Sequence, residues 1–396
     1  MKDFWEEVKT ENTKKKLNKK KIIIISIIAI LLITLTILTI VYTKNQQARD
    51  WIDKNIFRKE VMQDKTTTIE LKDIQNSNIY AFNRYIGILN KNKFSIYGNT
   101  GNEEKTLDIQ ITNPVFSSEN RFLAIGESGG QKVYLIENKE ISWETEIEGN
   151  ISQIHVNKNG YVAVVMSDAS NKTVIQIYNT EGKSLFKTYA PYNRSTDVAI
   201  SNDNKYLAVA EIDTAGTIIQ SNIKIISIEK ASTESDNSIE NTYKCESGKL
   251  LTNLKYQDKN ILICMYTDSI TKYEDGQETL LIDNKDRKVI FQSIELNGNV
   301  SSIEEKSSGL FTADSLINIV NTENSNINEY TVNSIAKEIY TNGNIIALNL
   351  GTEVEFINTG GWLVKRYRAN QEITNVAMSE NVAGIIYRDK IEIINL

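Results

Sequence analysis

Two hydrophobic periods divide the chain. Residues 22–43, IIIISIIAILLITLTILTIVYT, run for 22 positions without a charge. At about 1.5 Å of rise per residue a helix of that length crosses the roughly 30 Å hydrocarbon core of a bilayer, so the pattern predicts one transmembrane helix. Over residues 44–65 the apolar positions Ala48, Ile52 and Ile56 recur at helical spacing among polar neighbours, which predicts a juxtamembrane stalk. From residue 66 onward the period falls to two, in short runs rich in Ile, Val, Tyr, Phe and Thr separated by Asn, Asp and Gly, the signature of strands and tight turns.

These runs repeat. A small polar turn is followed by an apolar strand in residues 82–89 (FNRYIGIL), 117–126 (SSENRFLAIG), 157–165 (NKNGYVAVV), 201–210 (SNDNKYLAVA), 256–264 (YQDKNILIC), 306–313 (KSSGLFTA), 341–348 (TNGNIIAL) and 379–386 (SENVAGII). With Asn83, Asn120, Asn159, Asn204, Lys259, Ser308, Gly343 and Glu380 as register marks, the spacings are 37, 39, 45, 55, 49, 35 and 37 residues. Further alternating strands follow each turn, as in residues 174–189 (VIQIYNTEGKSLFKTY). Four strands per copy describe a propeller blade. The fold class is therefore all-β, a β-propeller of eight blades, with seven as the alternative, behind an N-terminal transmembrane helix. The last copy, residues 373–396, supplies three strands, and residues 66–72 (TTTIELK) supply the missing fourth, so one shared blade closes the ring and leaves no free edge. About thirty strands are too many for one β-sandwich.

The hairpin SNDNKYLAVA resembles the first hairpin of WD-repeat propellers, and residues 179–187 (NTEGKSLFK) and 358–365 (NTGGWLVK) resemble the turn and outer strand of quinoprotein-type repeats. The whole layout is similar to single-pass, membrane-anchored propeller proteins of low-GC Gram-positive bacteria. The likeness is one of pattern. No Gly-His or Trp-Asp dipeptide is present, and the outer-strand tryptophan appears only as Trp143 and a displaced Trp362.

Charge orients the molecule. Residues 1–44 hold nine lysines against four acids, a net of +5, which leaves −11 for the remainder of a chain whose total is −6. Six of those lysines, between Lys14 and Lys21, directly precede the apolar run, so the positive-inside rule places residues 1–21 in the cytoplasm as a short tail and residues 66–396 outside the cell membrane. No small-x-small cleavage site follows the helix, which reads as an uncleaved signal anchor. An acidic ectodomain lacks the basic stripe that nucleic acid requires.

Candidate chemistry is sparse. One histidine, His155, and two cysteines, Cys245 and Cys264, leave no material for a multi-histidine zinc site or a CxxC centre. His155 sits in the first strand of the third copy, next to the channel, where a hydrogen-bonded structural role is expected. The cysteines fall on radially offset strands and are expected not to pair. Residues 283–286 (DNKD) lack the spacing of a calcium loop and read as a hairpin turn. Residues 230–240 read as a solvated loop, and no helix is expected after residue 65. No catalytic, cofactor-binding or metal-ligating set is assigned, and no cofactor is expected.

Recognition is expected on loops. Copies four and five are read as carrying long connections after their second strands, residues 213–222 and 267–278, on one face of neighbouring blades. Asp268, Tyr273, Glu274 and Asp275 are the candidate partner-binding residues. The expected function is that of a membrane-anchored, extracytoplasmic binding or scaffold protein of the cell envelope, not an enzyme, whose partner is an envelope protein or a wall polymer. The competing expectation is an envelope enzyme acting on a glycan or quinone through carboxylates over the channel.

Overall fold

The computed structural model of the protein describes residues 19–44, 48, 52, 60–63, 67–70, 77–213, 216–233, 237–257, 261–307 and 313–396. The first 18 residues and most of the expected stalk lie outside the described residues. The chain forms two compact units, residues 1–61 and residues 62–396.

The first unit contains a helix, Lys19–Lys44, of which Ile24–Tyr42 is long and apolar enough to cross a membrane. Threonine hydroxyls within it bond to the helix itself. Thr36 Oγ1 donates to the Leu32 carbonyl and Thr39 Oγ1 to that of Leu35, both at 2.8 Å, as a polar group in an apolar surround requires.

The second unit is an eight-bladed propeller. Blades one to seven occupy residues 77–108, 114–146, 150–190, 194–244, 251–283, 289–332 and 338–368, each a four-stranded antiparallel meander running from the channel outward. Blade eight takes Asn375–Met378, Val382–Ile386 and Lys390–Asn395 from the C-terminus and Thr67–Glu70 as its outer strand, paired Thr67 to Ile393 and Ile69 to Ile391. The closure expected from residues 66–72 is therefore present. Blade seven carries a fifth strand, Glu60–Gln63, which the helical reading of residues 44–65 did not foresee.

Alternation along each strand sends apolar residues to both faces of every blade, because each sheet is covered by a neighbour on either side. Among the described residues the core accordingly divides into eight clusters, one at each seam between blades. The seam between blades five and six holds the smallest, of six buried residues, and is completed by polar side chains such as Asn284, whose Nδ2 donates to Gln292 Oε1 at 2.9 Å.

Three local readings are corrected. Residues 267–278 are not a long loop: Ser269–Glu274 is the third strand of blade five, and Asp275 (φ 49°) with Gly276 (φ 79°) makes a two-residue hairpin turn. Polar residues had hidden the strand, for Ser269, Thr271 and Lys272 are buried between blades where apolar side chains were expected. Residues 283–286 begin the connection from blade five to blade six and are not a hairpin. A short helix, Ile228–Thr233, opens the segment read as a solvated loop, with Ile228 buried and the Ser227 hydroxyl accepting from the Lys230 amide at 3.3 Å.

Candidate functional site

The turns that joined first to second strands in the repeat pattern gather around one mouth of the central channel, where they hold the blades together. Asn83 N donates to the Asn120 carbonyl (3.0 Å, blade one to two), and Val156 N donates to Ser117 Oγ (3.1 Å, three to two). Asn157 Nδ2 reaches the Ser201 carbonyl (3.0 Å, three to four) and Asn202 Nδ2 the Gln257 carbonyl (3.0 Å, four to five). Gln257 Nε2 donates to the Leu296 carbonyl (2.8 Å, five to six), and Asn297 spans from the Gly343 carbonyl (2.7 Å) to Glu380 Oε1 (2.8 Å). Ser379 Oγ closes the circle on the Asn83 carbonyl at 2.5 Å. Amide side chains suit this work because one short group donates and accepts at once.

Inside this girdle lies a basin of about 460 Å³ with a charged floor. Lys255, on the first strand of blade five, places its ammonium 2.5 Å from Glu295 of blade six and 3.2 Å from Glu119 of blade two, so the trio bridges the channel. Burial alone would lower the Lys255 pKa, but the carboxylates of Glu295 and Glu119 outweigh it and raise it. His155 Nε2 of blade three lies 3.1 Å from Asp197 Oδ1 of blade four, a close contact but off the line of a good hydrogen bond. Asp197 is held instead by the amides of Val198 (2.9 Å) and Leu254 (2.7 Å). Burial pushes its carboxyl above the ordinary range against the pull of His155 and those amides.

His155 therefore has a neighbour, and Ile154 and Val156 turn away from it into the seam between blades two and three. The charged residues of the floor were not singled out from sequence. A signal did exist: His155-Val156-Asn157, Lys255-Tyr256-Gln257 and Glu295-Leu296-Asn297 share one register, an ionisable residue two positions before the girdle amide.

The four candidate partner residues do not form one surface. Asp268 lies in the turn between the second and third strands of blade five, on the face opposite the basin. Tyr273 is buried in the seam between blades four and five, with its hydroxyl donating to Glu278 at 2.9 Å. Glu274, 3.1 Å from Lys272, and Asp275 stand at the other end of that strand, on the basin side. Cys245 and Cys264 are unbridged and share that same seam, where burial raises the pKa of both thiols.

The quinoprotein-like segments have a common packing role. Asn179 and Asn358 each fold a side chain under the outer turn, accepting from Lys183 N (2.8 Å) and Gly360 N (3.0 Å), and the glycine that follows presses on the preceding blade. Gly182 (φ 78°) lies so close to Trp143 of blade two that an added Cβ would sit 2.7 Å from its Cγ. Gly361 approaches Glu329 of blade six in the same way. Trp362 itself is 70% exposed.

With that geometry in place, the model of a family of unknown function, DUF5711, matches residues 58–396. The chain belongs to the DUF5711 family. No curated protein sequence matches this DUF5711 chain. Solved structures with a similar fold include BamB from Moraxella catarrhalis, at 12% identity over 85% of this chain and 100% of that one, with a TM-score of 0.49. The β-propeller domain of Cps50 (Swd1) from Myceliophteria thermophila follows at 14% identity, 84% and 99% coverage and a TM-score of 0.47. AztD from Citrobacter koseri, in its apo form, matches at 11% identity, 75% and 86% coverage and a TM-score of 0.45.

Proposed function

We propose that this chain is a single-pass protein of the cell membrane, with its lysine-rich tail in the cytoplasm and its propeller outside, and that the propeller works by binding an envelope protein or a wall polymer. One observation carries the binding reading: the basin is concave, polar and held open by a closed circuit of blade-to-blade hydrogen bonds, while the ammonium on its floor is matched by two carboxylates. A rigid site of that kind loses little freedom when a ligand arrives. Glu274 and Asp275, on the same face, form the outer rim of the proposed surface.

The test is chemical crosslinking of the full-length protein in intact membranes, read by mass spectrometry, beside a variant carrying Lys158→Glu, an exposed residue of the rim outside the hydrogen-bond circuit. A specific envelope partner captured by the parent and lost in the variant supports the reading. Identical capture by both moves the interface elsewhere. The second reading, an envelope enzyme, is favoured by the raised carboxyl of Asp197 beside His155, a pairing suited to proton transfer. Turnover of a wall glycan by the full-length protein, abolished by Asp197→Asn, would establish it.

A further inference from the structure

A row of polar side chains crosses blade six. Gln292, Ser302, Asn318 and Glu329 stand side by side on its four successive strands, each paired with the next. The row faces blade five, because Val300 and Val320, two positions from Ser302 and Asn318, belong to the apolar cluster of that seam and Gln292 Nε2 donates to the Thr267 carbonyl of blade five at 3.4 Å. Asn284 meets the row from the end of blade five, its Nδ2 donating to Gln292 Oε1 at 2.9 Å. Ser302 is fully buried, and Asn318 and Asn284 are each 6% exposed.

The row does not satisfy itself. Ser302 Oγ, Asn318 Nδ2 and Asn284 Oδ1 are buried without a hydrogen-bond partner among the described residues, a condition that costs free energy. Asn318 lies three positions before the asparagine of its outer turn, Asn321, as Gln176 does before Asn179 and Glu355 before Asn358. At those two places the side chain finds a protein partner: Gln176 Nε2 donates to Ser184 Oγ at 2.9 Å, and Glu355 Oε2 accepts from the Tyr330 hydroxyl at 2.8 Å. The residues beside them on the second strands are Val164 and Leu348, both larger than Ser302. Blade six is thus short of bulk at the level where it is short of partners.

We infer that ordered water occupies the seam between blades five and six, bonded to Ser302, Asn318 and Asn284. The donor set selects water. Asn318 Nδ2 only donates, Asn284 Oδ1 only accepts and the Ser302 hydroxyl does either, so whatever joins them must accept one bond and donate another. A bare cation is repelled by the Asn318 amide hydrogens. Lys272, buried and paired with Ile263 of the same seam, also brings an ammonium to it from blade five, 3.1 Å from Glu274. An anion is repelled in turn by Asn284 Oδ1. Glu329, exposed at the outer end of the row, gives water a polar way in from the rim. The bound water lies between the same two blades whose inner strands carry Lys255 and Glu295, and it joins them where apolar contact is sparse.

The experiment is crystallography of the full-length protein in detergent, from crystals grown in potassium salt and from others grown in rubidium salt, with diffraction good enough to place water. Density within hydrogen-bond distance of Ser302 Oγ, Asn318 Nδ2 and Asn284 Oδ1, the same in both salts and without rubidium anomalous signal, is the expected result. Rubidium signal at that place overturns water in favour of a cation. Density absent, with the three side chains bonded to one another or the seam closed over them, overturns the site altogether. A solution measurement stands beside it. Ser302→Ala adds no bulk and removes one partner of the water, so the thermal midpoint of the full-length protein is expected to fall by about 2 °C. A raised midpoint would show that the hydroxyl had been buried unpaired, and the inference would fall with it.

Discussion

Lys255 and Glu119 stand 136 positions apart in the chain, yet Nζ and Oε2 are 3.2 Å apart across the propeller channel. The contact joins blade five to blade two, and Glu295 adds a third point of attachment on blade six. Lys255→Met removes the cation and leaves two carboxylates facing one another. The expected cost is about 2 kcal/mol, between the values for exposed and buried pairs, because Lys255 is mostly buried while Glu295 is half exposed. Denaturant unfolding of the parent and of Lys255→Met measures it, and the double variant with Glu295→Gln should recover part of the loss.

Asp197 sets a pH dependence of definite sign. Its folded pKa lies above the ordinary carboxyl value, so its contribution to stability is fully present below about pH 3.9 and declines as pH rises through the raised value. The stability of the parent relative to Asp197→Asn should therefore fall from pH 3 toward neutrality, as judged by paired denaturant titrations. A difference that grows with pH would mean that His155 and the two amides outweigh burial.

Gly182 of blade three lies tight against blade two. Alanine there would strain a backbone held at φ 78° and bring its Cβ against Trp143. A loss of about 2 kcal/mol or more is expected for Gly182→Ala, together with a changed Trp143 fluorescence environment.

Ring closure depends on a short strand. Ile69, 5% exposed, packs with Ile391, Ile393 and Ile86 in the seam between blades eight and one. Ile69→Ala should cost about 3 kcal/mol in a thermal melt. Because the strand holds the two ends of the ring together, hydrogen exchange should rise first in residues 375–395 and 77–90. Uniform exchange would argue against closure as the weak point.

Much of the fold was legible because its determinants are local. Alternation in residues 174–178 marks a strand without reference to any partner, and NTEG at 179–182 marks a turn because Asn179 and Gly182 satisfy it themselves. Residues 267–278 were misread for the converse reason. Thr271 and Lys272 are buried by neighbouring blades, and their side chains announce exposure when taken alone. The four candidate partner residues had been grouped on that one loop, and of them Tyr273 proved to be core.

The site was less legible than the fold. Sequence by itself determined the apolar helix, the repeated strands and the polar turns, since each depends on neighbours a few positions away, and the strand that closes the ring followed from counting strands in the last repeat. Tertiary structure alone decided that those turns form a circuit and that Glu119, Lys255 and Glu295 meet over the channel. A propeller places its inner strands side by side in space while separating them by about forty residues in the chain. The contacts that make a site are thus set by the radius and order of the ring, which no local period encodes.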